Sequence, residues 1–405
     1  HLPAHLKRCF AYTCIYPKAY VFHKMDLIKV WKAASFILPR GQYSIEDIGE
    51  EYFDELLRRS FFQLSKVDNQ ETFRMHDLLH NLAQSVSGPY CYQIRDNDPC
   101  NFYEKARHIS LLCSAAEQPI MGIMEKSRKL RTLLSPSDHQ KNFGQALDSI
   151  FQSLKYIRIL DLSSSIMLEL PESVGELKLL HYLDLSKTEI RRLPNSVCNL
   201  INLETLKLLS CLWLFELPKD LGKLTNLQHL ELDDIFWYKL RTLPPGIGSI
   251  TGLQNLHAFP VSREAGKGIN ELKGMLHLKG ALHIKELENA ANAGEANLKD
   301  KEDLVKVVFE WSNNRNGSPE NAELDENIIE DLQPHPDIKE IQVIHYQGAR
   351  FPAWIRDGQV KNLTSLTLNH CINCRVLSLG QLSRLQSLSL KGNLELEEWM
   401  DAPYH

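Results

Sequence analysis

The chain has 405 residues, 43% of them hydrophobic, and a formal net charge of -5 at pH 7. This balance is typical of a globular protein with two or three domains, and it gives no indication of a polyanionic partner such as nucleic acid. No apolar run approaches the roughly 18–20 residues that a membrane-spanning helix needs, which excludes a membrane span on sequence grounds.

The chain begins at His1 rather than Met, so we expect it to be a fragment of a longer product. Residues 1–87 carry apolar residues at helical spacing, with a few breaks. Helices are predicted at Asp26–Phe36 and Ser44–Phe62, and Ser44 followed by Asp47 predicts a capping box for the second of them. A third helix is predicted from its apolar residues, which are Leu78, Leu79, Leu82, Ala83 and Val86.

A short hairpin is predicted between the second and third of these helices. Two strand-like stretches, 61–64 and 71–74, flank the polar turn Asp68-Asn69-Gln70. Helices followed by a small hairpin predict a winged-helix domain over residues 1–87. A DNA-binding winged helix needs a basic face. Residues 1–100 hold 12 Lys plus Arg and 12 Asp plus Glu, so we favour a structural winged helix that does not bind nucleic acid.

Residues 88–104 are rich in Gly, Pro, Asp and Asn, which predicts a linker. Beyond it, leucines recur at a long period: Leu160, Leu183, Leu206, Leu230 and Leu256 lie 23, 23, 24 and 26 residues apart. The pattern L-x-x-L-x-x-L-x-L surrounds them, as in Leu177–Leu185 and Leu224–Leu232. This spacing predicts leucine-rich repeats, each with one short strand, stacked into a horseshoe over residues 105–405.

The repeats vary along this predicted domain. Residues 154–259 are regular, and Leu-Pro pairs at 170, 193, 217 and 243 predict the point where each repeat turns back. Residues 260–337 are irregular, with an acidic, Asn-rich loop at 312–327 that we expect to be mobile. Regularity returns over 338–405. The predicted fold is therefore an α/β solenoid, the leucine-rich-repeat horseshoe, preceded by a small and mostly helical winged-helix domain.

The concave face of the horseshoe is predicted from strand alternation, since Leu183 and Leu185 point into the core and their neighbours point away. This face is mostly acidic, and a basic patch on a protein partner would complement it; ordinary solvated residues are the alternative. Aromatic residues after two strands are candidate anchors if they are exposed, or else they fill gaps in longer repeats. The candidate partner-binding residues are Tyr182, Asp184, Lys207, His229, Glu231 and Asp233. The candidate aromatic anchors are Trp213, Phe236, Trp237 and Tyr238.

The sequence contains no recognisable motif for catalysis or metal binding. The phosphate-binding loop G-x-x-x-x-G-K-[ST] is missing from the sequence, and 266–268 is only a partial likeness. Cys371 and Cys374 have metal-like spacing without a second pair, so we interpret them as core thiols. The nine cysteines are scattered, and without a secretory signal we expect reduced thiols in a cytoplasmic protein. The sequence predicts neither a metal site nor an enzyme.

The segment before the repeats resembles the winged-helix part of plant intracellular nucleotide-binding leucine-rich-repeat disease resistance proteins, of the coiled-coil type. An ordered set of stretches carries the resemblance, and Met75-His76-Asp77 matches the family's methionine-histidine-aspartate motif. Ala34-Ser35 departs from the family's usual Glu-Gly, and Asn81 stands where Asp is usual. The other matching stretches are 9–18, 27–36, 49–62, 107–110, 332–336 and 351–354.

The resemblance implies that His76 contacts the phosphates of ADP, with Met75 packing behind it and Asp77 ordering the turn. From the residues alone, a cap for the helix that follows is the favoured role of His76, and only the family resemblance favours the phosphate contact. The nucleotide-binding and coiled-coil domains would lie upstream of His1, so we expect no tight binding of ADP or ATP to this chain alone. The intact protein would be a slow ATPase switch that forms homo-oligomers on activation and triggers a hypersensitive response.

We therefore interpret the chain as the C-terminal part of a plant innate immune receptor that senses a pathogen effector or a guarded host protein. One alternative is a repeat scaffold that binds a partner independently of nucleotide. Another is a remnant of a receptor that no longer signals. An upstream phosphate-binding loop in the same reading frame would contradict the scaffold interpretation.

Overall fold

The computed structural model describes residues 2–67, 70–96, 98, 104–113, 117–127, 129–136, 142–143, 146–233, 236, 242–315, 318–374, 376–393 and 398–400. The chain divides into two compact units, His1–Leu214 and Phe215–His405. Within the described ranges, no helix is long and apolar enough to cross a membrane.

The first unit begins with the predicted winged helix. Its elements are α1 (Ala4–Tyr12), α2 (Lys24–Ala33), α3 (Ile45–Arg58), β1 (Gln63–Val67), β2 (Gln70–Arg74) and α4 (Asp77–Ser87). The strands β1 and β2 pair antiparallel, which confirms the hairpin; Asp68 and Asn69 of its turn lie outside the described residues. The helices α2 and α3 end earlier than predicted, because Ser35 and Ser60 follow them with left-handed backbone φ values of 58° and 62°.

Local chemistry explains how α3 begins and how closely it packs. The Ser44 side chain accepts a hydrogen bond from the Asp47 amide at 3.0 Å, and the Asp47 carboxylate accepts one from the Ser44 amide at 3.3 Å, which confirms the capping box. A Cβ on Gly49 would lie 2.6 Å from Ile28 Cγ2, so α2 and α3 approach each other at a point that only glycine permits.

The helix α4 forms where predicted but turns a different face to the core. Leu78, Leu82 and Val86 are 72%, 47% and 57% exposed, although apolar residues at this spacing usually face inward. The residues that α4 buries are His80, Ala83 and Ser87. His80 Nε2 makes a hydrogen bond of 2.8 Å with the Tyr16 carbonyl oxygen, and this buried polar contact fixes the rotation of the helix.

The repeats of the first unit form a parallel sheet with strands in chain order. Its strands are β3 (Cys91–Ile94), β4 (His108–Leu111), β5 (Thr132–Leu134), β6 (Ile159–Asp161), β7 (Tyr182–Asp184) and β8 (Thr205–Leu208). Leu160, Leu183 and Leu206 are in register and buried, as their spacing predicts. Strand β3 lies inside the predicted linker 88–104. The helices α5 (Glu117–Lys126) and α6 (Ala146–Ser153) belong to the same unit.

The second unit continues the repeats. Its strands are β9 (His229–Leu232), β10 (Ala258–Pro260), β11 (Gly280–Lys285), β12 (Leu304–Glu310), β13 (Glu340–Ile344), β14 (Ser365–Asn369), β15 (Val376–Ser378), β16 (Ser387–Lys391) and β17 (Glu398–Met400). Strands β10 to β14 and then β16 form one parallel sheet, and β15 pairs with β17. The sheet runs through 260–337 without a break, so the irregular sequence there still forms repeats.

The expectation of a mobile loop at 312–327 is wrong. Helix α7 (Pro319–Asp331) begins inside it, and a second helix, α8 (Ala353–Arg356), follows later in the unit. The Ser318 side chain caps α7 by accepting a hydrogen bond from the Asn321 amide at 3.3 Å. Arg315 donates two hydrogen bonds of 2.8 Å to the fully buried Asp325 carboxylate, which ties the start of the segment to the helix.

Candidate functional site

The Met75–Asp77 turn lies between β2 and α4. Met75 is buried, and the Thr13 hydroxyl donates a hydrogen bond to its sulfur at 3.7 Å. His76 is the N-cap of α4 and is exposed; its Nδ1 accepts a hydrogen bond from the Leu78 amide at 3.2 Å. Asp77 is exposed at the first position of the helix, where its carboxylate faces the positive end of the helix dipole. The helix-cap interpretation of His76 is confirmed.

Capping also determines which ring nitrogen of His76 is available to a ligand. Because Nδ1 accepts from the backbone, the proton of the neutral ring sits on Nε2, which is then a donor. Within the described part of the chain, no residue hydrogen-bonds Nε2. The ring can therefore cap α4 and donate to an external acceptor at the same time, so the two interpretations of His76 are compatible.

The winged helix packs against the first repeats inside the first unit. The ammonium group of Lys207 on β8 donates a hydrogen bond of 2.9 Å to the Asp26 carboxylate on α2. Lys207, Tyr182 and Asp184 are buried. The expectation that these three candidate residues face an open concave surface is therefore wrong, because the winged helix covers that part of the face. Their binding of a separate partner stays a prediction.

A small polar cavity lies at this contact, with a volume of about 60 Å³. Its polar lining residues are Tyr16, Tyr20, His23, Asp26, Asp161, Tyr182, Asp184 and Lys207. A cavity of this size has room for a few water molecules. Burial and the neighbouring Asp161 raise the pKa of Asp184 to about 7. Burial also acts to raise the pKa of Asp26, but the charges of Lys207 and Lys29 outweigh it and hold that pKa below its ordinary value.

Further contacts extend this interface on both sides. Lys32 on α2 lies 3.3 Å from a carboxylate oxygen of both Glu46 and Glu204, so it bridges α3 and the repeat of β8. Burial lowers the pKa of His108 on β4 to about 3, and its neutral ring stands edge-on to Tyr12 with 5.1 Å between the ring centroids. The interface therefore combines an apolar part with buried ion pairs.

The Ala34-Ser35 departure from the family pattern takes part in this interface. Ser35 has a left-handed φ of 58°, a conformation that glycine adopts without strain. The Ser35 hydroxyl accepts a hydrogen bond of 2.8 Å from the Arg158 guanidinium, which comes from the repeats. The serine thus adds a contact with the repeats that glycine could not make.

The other candidate residues lie in or next to the second unit. His229 is buried, and Glu231 and Asp233 are half-buried. Trp213 is exposed and Phe236 is buried, whereas Trp237 and Tyr238 lie outside the described residues. Cys371 and Cys374 are both buried, which confirms their interpretation as core residues. Across the described residues, no group of three or more His, Cys, Asp or Glu side chains could hold a metal ion.

Three family models match the chain. Residues 15–83 match the winged-helix domain of disease resistance proteins, 114–239 match a leucine-rich-repeat region, and 269–393 match the R13L1/DRL21 leucine-rich repeats. No catalytic domain is among the matched ones. The winged helix and the repeats predicted from sequence are therefore confirmed.

Similar proteins are known from plants. The disease resistance protein RGA2 of Solanum bulbocastanum is 34% identical across all of this chain, which spans 39% of that protein. A disease resistance relative from Arabidopsis thaliana is 38% identical over 96% of this chain, which spans 28% of its length. Among solved structures, a leucine-rich-repeat protein of Leptospira interrogans covers 76% of this chain and 86% of its own, with 19% identity and a TM-score of 0.46.

Proposed function

The chain belongs to the plant disease resistance proteins that join a winged helix to leucine-rich repeats, and on this premise we propose that it is the sensing and switching part of a plant innate immune receptor. It spans 37–39% of the length of three such relatives. The repeats would recognise a pathogen effector or a guarded host protein, in the cytoplasm. The winged helix would report the nucleotide state of the upstream nucleotide-binding domain, and the activated protein would form homo-oligomers.

The observation that carries this proposal is the buried contact between the winged helix and the repeats. Lys207 on a repeat strand pairs with Asp26 on α2, so a partner that moves the repeats also changes the environment of the winged helix. Two arrangements, one docked and one released, would then be in equilibrium, and a ligand that prefers the released one shifts the population toward it. This gives the repeats a physical route to the switch.

The Met75–Asp77 turn supports the nucleotide-linked part of the proposal. His76 presents its Nε2 donor at the N-terminus of α4, where the helix dipole favours an anion. ADP bound to the upstream domain would place phosphate oxygens within reach of this donor and favour the docked state. The phosphate-binding loop is not in this sequence, so His76 supplies one wall of the site and cannot hold ADP or ATP tightly alone.

The test uses the intact receptor expressed in leaf cells with Asp77→Val. Valine removes the charge that favours the first turn of α4 and weakens the cap that positions His76, so we expect spontaneous cell death that also depends on an intact upstream phosphate-binding loop. The matched control is Asp148→Val, an exposed acid in the first turn of α6, which should stay silent. Silence of Asp77→Val, with the protein accumulating normally, would contradict the switch.

The second candidate function is a repeat scaffold that binds its partner without any nucleotide. The two differ in one measurement on the intact protein: loss of nucleotide binding should abolish signalling by a receptor and leave a scaffold's partner binding unchanged. If neither signalling nor partner binding is found, the remaining interpretation is a receptor remnant.

A further inference from the structure

Two cysteines from distant parts of the first unit lie together at the start of the repeats. Cys14 is in the 3₁₀ turn Thr13–Ile15 that follows α1, and Cys91 is the first residue of β3. Contacts on both sides of Cys91 reach Cys14. The thiol of Cys14 lies 3.2 Å from the hydroxyl of Ser87, the last residue of α4. The Gln93 side-chain amide donates a hydrogen bond of 2.8 Å to the Cys14 carbonyl oxygen. The backbone from Ser87 to Gln93 is thereby held across Cys14.

Neither cysteine is in a disulfide, and the Cys91 side chain packs against the buried core cluster to which Cys14 belongs. The hydrogen bond with Cys91 lowers the pKa of Cys14 although burial opposes the shift, and the same hydrogen bond, together with burial, raises the pKa of Cys91. Cys14 is therefore the thiol of the pair that ionises more readily. A thiolate is the nucleophilic form of cysteine, and a neighbouring thiol can resolve its oxidation. Cys91 is half-buried, which gives a small oxidant access to the pair.

Two other cysteines, Cys9 and Cys371, show the contrast. Burial raises the pKa of Cys9 to about 12, although Cys9 lies on α1 only five residues before Cys14. Burial likewise raises the pKa of Cys371 to about 12. Neither group ionises at neutral pH, and core thiols of this kind are inert. The difference makes selective oxidation of the Cys14–Cys91 pair measurable.

We propose that Cys14 and Cys91 are a redox modification site, which hydrogen peroxide closes into an intramolecular disulfide between the winged helix and the first strand of the repeat sheet. The bond encloses nearly the whole winged helix in one covalent loop, from the turn after α1 to β3. A cross-link that closes a long loop stabilises the folded arrangement by restricting the unfolded one.

The reaction balances in two steps. The Cys14 thiolate attacks one oxygen of hydrogen peroxide, the O–O bond breaks, and hydroxide leaves and takes up the proton that Cys14 has lost. The sulfenic acid on Cys14 is then attacked by the Cys91 sulfur. The S–S bond forms, the S–O bond breaks, and the oxygen leaves as water with the Cys91 proton. Two thiols lose two electrons, and peroxide is reduced to two waters.

The consequence for the protein is a covalent lock on the docked arrangement. Strand β3 pairs with β4 of the first repeat, so the disulfide would tie the winged helix to the sheet that it packs against. The effect of this lock on signalling rests on the proposed receptor function. Formation of the disulfide does not depend on that function, so the disulfide proposal and the receptor proposal can fail separately.

The experiment treats the purified 405-residue chain with graded hydrogen peroxide, blocks the remaining thiols by alkylation, and maps the peptides by mass spectrometry. We expect Cys14 and Cys91 to lose alkylation together, in equal proportion, and a Cys14–Cys91 cross-linked peptide to appear. Dithiothreitol should reverse both changes. The midpoint of thermal unfolding should rise on oxidation and fall again on reduction.

Variants make the assignment specific. Cys14→Ser and Cys91→Ser should each abolish the cross-linked peptide and the thermal shift, whereas Cys9→Ser should keep both. If a serine variant does not fold, the peptide map of the unsubstituted chain with and without peroxide still shows whether the Cys14–Cys91 cross-link forms. Three results would overturn the proposal: both thiols remain alkylatable, Cys91 is oxidised to sulfinic acid without a cross-link, or Cys91 joins two chains instead.

Discussion

The ammonium group of Lys207 on β8 lies 2.9 Å from the carboxylate of Asp26 on α2, although 181 residues separate them in the sequence. The pair joins a repeat strand to the first turn of a winged-helix helix, and Lys207 is buried there. Asp161 and Asp184 line the same cavity. The lysine therefore offsets a cluster of acidic side chains that would otherwise repel one another across the interface.

Lys207→Met removes this charge and leaves the carboxylates without it. Breaking a buried ion pair by removing one partner leaves the other uncompensated, and because the Asp26 side chain is 38% exposed we expect a loss of about 2 kcal/mol of unfolding free energy. Urea unfolding of the chain measures this. The matched control is Lys223→Met, whose pair with Asp220 is on the surface, with an expected change below about 0.5 kcal/mol. Equal losses in both variants would contradict a special role for Lys207.

The buried carboxyl of Asp184 makes stability depend on pH. Its pKa rises from an ordinary value near 3.8 to about 7 on folding, because of burial and of Asp161. The protonated form is compatible with the fold, so the ionisation cost appears as pH rises above about 4, grows until about pH 7 and then stays constant. Asp184→Asn should therefore gain stability relative to the unsubstituted chain between pH 5 and pH 8, by up to about 4 kcal/mol. A pH-independent difference between the two proteins would contradict this.

The orientation of α4 is tested by two substitutions two residues apart. His80→Ala removes the buried hydrogen bond to the Tyr16 carbonyl oxygen and should cost about 1–3 kcal/mol of unfolding free energy. Leu82→Ser changes an exposed side chain on the other face and should cost less than about 0.5 kcal/mol. Denaturant titration of both variants compares them directly. A larger loss for Leu82→Ser would mean that the apolar stripe faces the core after all.

The segment before α7 is tested at Arg315. Arg315→Met leaves the fully buried Asp325 carboxylate without its two guanidinium hydrogen bonds, which should cost about 3–5 kcal/mol. Amide hydrogen exchange should then become faster over 319–331 than in the unsubstituted chain. Unchanged protection of that helix would show that the ion pair does not hold it.

Local patterns in the sequence predict much of this structure. The leucine period places Leu160, Leu183 and Leu206 in register, because one buried residue per strand recurs with each repeat. Ser44 and Asp47 predict the start of α3, since a capping box is a contact between residues three apart. Each of these features depends on residues close in sequence or on a simple period.

Local patterns do not predict features that depend on contacts between residues far apart in the sequence. The rotation of α4 depends on His80 bonding Tyr16, a contact across 64 residues. The acidic composition of 312–327 leads to the prediction of a loop, although the chain forms helix α7 there. The signals for that helix are the cap at Ser318 and the buried Ile328. Local spacing also fails to predict two other features. One is that the winged helix covers Asp184, and the other is that Cys14 and Cys91 lie together.

The most direct test of the docked winged helix as a resting state is a charge exchange in the intact receptor, expressed in leaf cells. Lys207→Asp alone should release the winged helix and cause spontaneous cell death, because four carboxylates would then share the cavity. Adding Asp26→Lys to the same protein should restore an attractive ion pair and abolish the spontaneous cell death. If Lys207→Asp accumulates normally and stays silent, or if the exchange fails to quiet it, the contact is not the latch that holds the receptor inactive.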